Sequence, residues 1–157
     1  MNIENFINNW QNIDKSLTIT YASLEVDSVT TAQSMTDSVW NKLTAFNVVG
    51  LKENCTAVAD SIIITKTGKY EVQFNFCSQS GTGNLTLETC VFINGVKSKA
   101  LTVRELAVIG KYSSVACSRF ISLTAGDVLD IRVKHDNDTP IDLTTKYGSF
   151  SVKYIGN

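Results

Sequence analysis

The chain is short of the groups that most enzyme chemistry needs. Its 157 residues include one histidine, His135, and one proline, Pro140. Any histidine-dependent triad must therefore use His135, and the G-x-S-x-G pattern that would present an activated serine is missing. The four cysteines, Cys55, Cys77, Cys90 and Cys117, form no C-x-x-C pair, which leaves a zinc ribbon or a thioredoxin-type motif unsupported. No apolar run approaches the ~18 residues of a bilayer-spanning helix, so no membrane insertion is expected. Neither sign of charge dominates. There are 14 Lys and Arg against 15 Asp and Glu, with no basic stripe for nucleic acid and no acidic block. The opening "MNIENFINNW" has neither a basic n-region nor a continuous apolar h-region, so it does not read as a secretory signal. The cysteines are accordingly expected to be reduced and to behave as small apolar residues.

What remains is enough apolar material, 43% of the chain, to build one core. From about residue 16 the pattern is β. In "SLTITYASLEV" the residues Leu17, Ile19 and Tyr21 share a face. In "TGKYEVQFNF" Tyr70, Val72, Phe74 and Phe76 point inward at period two, and in "LTLETCVFING" Leu85, Leu87, Val91 and Ile93 do the same. Turns are marked by "GTGN", by Asn94-Gly95 and by "TAGD" at 124–127. Further strands are expected near 99–109, 113–123, 127–134 and 147–155. Eight to ten short strands with no long helix between them predict an all-β, antiparallel two-sheet sandwich, jelly roll or barrel over residues 16–157.

The start differs. In residues 1–15, Ile3, Phe6, Ile7, Trp10 and Ile13 recur at helical spacing among asparagines. Asparagine is a poor helix former, and a helix of about a dozen residues is marginal by itself. This helical or extended segment is expected to dock its apolar stripe on a partner or on its own domain.

Candidate chemistry is weak throughout. His135 lies among carboxylates in "KHDND" but reads as a solvated residue at a strand end. Asp136, Asp138 and Asp142 of "HDNDTPID" could hold calcium, yet the loop lacks the central Gly and terminal Glu of an EF-hand, and Asp and Asn also favour turns for local reasons. No metal and no cofactor is expected. Glu71, Glu88 and Asp130 alternate with apolar residues, as an outward strand face does, and offer no facing acid pair for glycoside hydrolysis. Phe92 and Cys90 fall on the face opposite Val91 and Ile93, which marks them as candidates for a subunit interface.

Four stretches taken in order, "TGKYEVQFNF", "VFINGV", "SSVACSRFISLTAGDVLDIRV" and "YGSFSVKYIG", resemble the jelly-roll domain shared by tumour necrosis factor and the globular heads of complement. Versions of that domain occur in bacteriophage fibre and capsid decoration proteins. The resemblance covers roughly residues 36 to 156. It implies about ten strands in two sheets, a tight homotrimer and a binding or structural role without catalysis. Asp127 would cap the "TAGD" turn, with Gly126 relieving it. With the apolar-striped start, the expectation is a structural virion protein assembled in the host cytoplasm, a trimeric decoration or head/tail fibre module attached to other virion proteins through residues 1–15. The alternatives are a receptor- or glycan-binding tip that recognises a host-surface glycan and, less in keeping with the carboxylates, a glycan-processing enzyme on a jelly-roll frame.

Overall fold

The computed structural model describes residues 19–27, 31–81, 85–107 and 109–157, with backbone alone at 104–107. The segment holding Ile3, Phe6, Ile7, Trp10 and Ile13 lies outside the described residues. Among those described, the chain forms twelve strands and no helix. They are β1 (Tyr21–Asp27), β2 (Gln33–Met35), β3 (Asn41–Lys42), β4 (Val48–Glu53), β5 (Thr56–Val58), β6 (Ser61–Ile63), β7 (Gly68–Ser80), β8 (Leu85–Ile93), β9 (Val96–Ala107), β10 (Tyr112–Leu123), β11 (Val128–His135) and β12 (Ile141–Gly156).

The strands make two antiparallel sheets. The first runs β10-β7-β12-β1-β4, with β2 also on β12. The second runs β5-β6-β11-β8-β9, with β3 on β11. The sheets face each other in matching order, because the β9 and β10 edges close one side and β4 leads directly into β5 on the other. β7 buries every second residue from Tyr70 to Ser80, as a half-buried strand must, whereas β8 and β11 also bury outward positions such as Cys90, Phe92 and Asp130. Tyr70, Val72, Phe74 and Phe76 of β7 pack against Leu85, Leu87 and Val91 of β8, Leu129, Ile131 and Val133 of β11, and Phe150 and Val152 of β12 in one core. Phe46 enters it from the loop after β3, with edge-on contacts to Phe76 and Phe150, both at 6.2 Å between ring centroids.

The β10–β11 turn forms as the sequence predicts. Gly126 has φ +97°, which the third position of a type II turn requires. Asp127 Oδ2 accepts the Thr124 N–H at 2.8 Å, and its Oδ1 accepts Asn94 Nδ2 at 2.7 Å, so one carboxylate ties two turns together.

Three details depart from the sequence expectations. Leu24 and Val26 set the inward phase of β1, so Tyr21 faces out and Ile19 is exposed. β12 begins at Ile141, well before residue 147, because a bulge between Thr145 and Tyr147 shifts the inward positions from odd to even numbers and hides the alternation. His135 is 2% exposed, where a solvated strand-end side chain was expected. It continues the inward series Leu129, Ile131, Val133.

Candidate functional site

On the outer face of the second sheet, the loop from Thr36 to Trp40 folds over β8 and β11. Asn41 holds it, donating through Nδ2 to the carbonyls of Thr36 (2.8 Å) and Val39 (3.0 Å) and accepting the Thr36 N–H at 2.9 Å. Trp40 thereby comes to rest against Phe92, with 5.3 Å between ring centroids. Lys97 lies 4.6 Å over Trp40, and Arg132 lies 4.3 Å over Phe92. Arg132 also makes a forked pair with Asp130 at 2.7 and 3.1 Å, which raises the guanidinium pKa, and Lys97 pairs with Glu88. Cys90 beside them is fully buried. Its thiol donates to the Ser98 carbonyl and accepts from Thr102 Oγ1, and burial pushes its pKa up. Cys90 and Phe92 therefore do lie opposite Val91, but the chain's own side chains already cover them. Asp130, expected on a solvated face, is buried and paired with Arg132.

The outer face of the first sheet has a different character. Across β10, β7 and β12, three successive registers carry Ser118–Gln73–Ser151, Ala116–Asn75–Ser149 and Ser114–Cys77–Tyr147. None of these nine positions is charged, which is unusual for the solvated side of an antiparallel sheet. Only Cys77 is half-exposed among the four thiols. Gly148, the register partner of Phe76, has the inward phase of Phe150, and a Cβ there would press on the core at 2.6 Å from Phe76 Cβ. Around Asn75, Cys77 and Ala116 the outer face holds a shallow pocket of about 260 Å³ walled by Tyr147. Three large aromatic residues border it in the open, Phe120 at 69% exposure, Tyr147 at 56% and Tyr112 at 54%.

The carboxylate-rich end near His135 offers no catalytic constellation. His135 Nε2 sits 3.3 Å from the Met35 carbonyl, inside the sandwich. The ring is 2% exposed and its Nε2 is engaged by a backbone carbonyl, which is not how a general base meets a substrate. Asp136 accepts the Thr86 N–H at 2.7 Å, which lowers its carboxyl pKa, while Asp138 and Asp142 are exposed. Among the described residues no three His, Cys, Asp or Glu side chains gather in a way that could hold a metal ion. A pocket of about 330 Å³ between Ser38, Glu88, Lys134 and Asp136 is polar and shallow.

No family model and no curated protein matches the sequence. The chain is nevertheless similar to solved structures over most of its length. It matches Eiger TNF from S. frugiperda with 12% identity and a TM-score of 0.61, covering 88% of this chain and 95% of that one. It matches the globular domain of zebrafish complement 1qA with 18% identity and a TM-score of 0.62, covering 88% and 99%. Murine APRIL gives 12% identity and a TM-score of 0.59, covering 86% and 99%. The chain has the TNF- and complement-type jelly-roll fold. At these identities the likeness speaks for the fold, and function must be argued from the surfaces.

Sequence reasoning singled out Phe92 but missed its partners Trp40 and Arg132, which no local period connects to it. It also missed the uncharged face, whose residues come from three distant strands.

Proposed function

We propose that the chain is a non-enzymatic structural module that works as a homotrimer, and that copies meet through the outer face of β10, β7 and β12. The uncharged centre of that face carries the proposal. Interface cores are depleted of charge and enriched in aromatic residues, and this face combines small neutral side chains with open Phe120, Tyr112 and Tyr147. Phe92 and Cys90 contribute less to such a contact because they are covered within one chain. The resemblance to TNF- and complement-type domains favours three copies around an axis.

The setting we propose is a virion, as a capsid decoration or a head/tail fibre module. The support is the apolar stripe Ile3, Phe6, Ile7, Trp10 and Ile13, which suits attachment to another virion protein. Three copies of the segment on one trimer would act together through effective concentration.

Light scattering of the full chain should give three times its 17.2 kDa mass. Ala116→Lys, an exposed position in the uncharged centre, should give a folded monomer. A wild-type monomer at micromolar concentration overturns the homotrimer. Deleting residues 1–15 should leave the trimer intact and abolish incorporation into particles. Retained incorporation defeats the attachment role, and a host glycan bound by the truncated trimer would favour an adhesion tip instead.

A further inference from the structure

One end of the core is polar where the rest is aliphatic and aromatic. Ser78 and Thr145 are register partners on β7 and β12 of the first sheet. Thr89 on β8 and His135 on β11 belong to the second sheet, diagonal to each other through the pairs His135–Leu87 and Val133–Thr89. All four are at most 2% exposed. The strand orders stack β7 on β8 and β12 on β11, and the short β7–β8 connection fixes which ends coincide. Both pairs lie on inward faces toward the end of the sandwich where β7 passes into β8 and β11 into β12.

Among the described residues, four buried atoms here have no hydrogen-bonding partner: Ser78 Oγ, Thr145 Oγ1, Thr89 Oγ1 and His135 Nδ1. The imidazole shows what is needed. Its Nε2 faces the Met35 carbonyl and so carries the proton, which leaves Nδ1 as a bare acceptor requiring a donor. Sheets packed face to face lie about 10 Å apart. Short hydroxyls on one sheet and an imidazole on the other fill only part of that distance, and the remainder suits a water molecule with two to four polar partners. Solvent comes close on one side. Thr145 and Leu143 also line an open pocket of about 400 Å³, whose other walls include Gln33, Thr44 and Asn47.

We infer that Ser78, Thr145, Thr89 and His135 form an internal hydration site, in which ordered water bridges the two sheets at the end where β2 is fastened. Solvent enters from the Gln33–Thr44 pocket. Water donates to His135 Nδ1 and takes up the hydroxyls that the backbone ladders leave over. The site is independent of the outer sheet face and of the number of copies in the assembly.

Two measurements on the full chain test this. A crystal structure at about 1.5 Å resolution should show a water peak within hydrogen-bond distance of at least two of the four atoms. The near-isosteric variants Thr89→Val and Thr145→Val should each melt below wild type, because each removes a ligand from a water that stays. A dry site predicts the opposite sign, since valine then relieves an unmet hydroxyl and raises the melting temperature. An empty chamber in the density, or a valine variant that melts above wild type, overturns the inference. If a variant fails to fold, the wild-type density decides alone.

Discussion

His135 Nε2 lies 3.3 Å from the carbonyl oxygen of Met35, one hundred residues earlier in the chain, and the contact joins β11 of one sheet to β2 of the other. β2 has only three residues, and this cross-sheet bond holds its Met35 end as the Gln33 side chain, bonded to the Lys42 carbonyl and the Thr44 N–H, holds the other.

His135→Ala should therefore behave as a core substitution. It removes a buried ring and a buried hydrogen bond together, and the expected loss is about 2–4 kcal/mol. Urea unfolding measures it. Amide exchange should accelerate most at residues 33–35. A loss within about 0.5 kcal/mol, as at a surface site, would contradict the burial.

Asp127 and Asn94 join two turns. Asp127→Ala should cost about 1–2 kcal/mol, since it frees the Thr124 N–H and the Asn94 amide together. Asn94 also accepts the Val128 N–H at 2.9 Å, so Asn94→Ala should cost a comparable amount. The double variant should lose less than the sum of the two. Strict additivity in thermal unfolding would show that the two turns are independent.

Much of this fold could be read from period-two alternation, and the failures have physical causes. β7 was plain because Tyr70, Val72, Phe74 and Phe76 keep one phase without interruption. The "TAGD" turn was plain because its glycine and aspartate act locally. The same parity that places Leu129, Ile131 and Val133 inward also places His135 inward. Its polarity suggested solvent, and parity prevailed because Met35 supplies a partner. β12 was hidden by its bulge. The uncharged face could not be read locally at all. Ser118, Gln73 and Ser151 become neighbours only through the registers of three strands far apart in sequence.

Tyr70 makes stability depend on alkaline pH. Its ring is fully buried, its hydroxyl donates to the Lys66 carbonyl at 2.6 Å, and burial pushes its pKa up to about 12 from an ordinary value of 10.0. The unfolded chain releases this proton near pH 10 while the folded chain retains it. The contribution to stability is therefore complete below pH 10 and is lost as pH rises through about 12. The melting temperature should fall across that window. Tyr70→Phe should flatten the fall and cost about 0.5–1.5 kcal/mol at neutral pH through the lost hydrogen bond. An equally steep alkaline decline in Tyr70→Phe would assign the effect to other groups.

The Arg132–Asp130 pair differs from an exposed ion pair. The side chains are 26% and 9% exposed, and the guanidinium is used twice, in a fork to the carboxylate and in a stack on Phe92. Arg132→Leu keeps some cover over Phe92 but leaves the Asp130 carboxylate buried without a partner. The expected loss is about 2–4 kcal/mol, below the upper range for fully buried pairs because solvent still reaches the guanidinium. Arg132→Lys restores the charge without the planar fork or the stack, so it should recover only part of the loss. Adding Asp130→Leu to Arg132→Leu removes the stranded charge, and the double variant should be more stable than Arg132→Leu alone. That inversion, read by chemical denaturation, separates a stranded carboxylate from simple loss of packing over Phe92. If the double variant is the less stable of the two, packing over the ring is the main role of Arg132, and the ion pair contributes little.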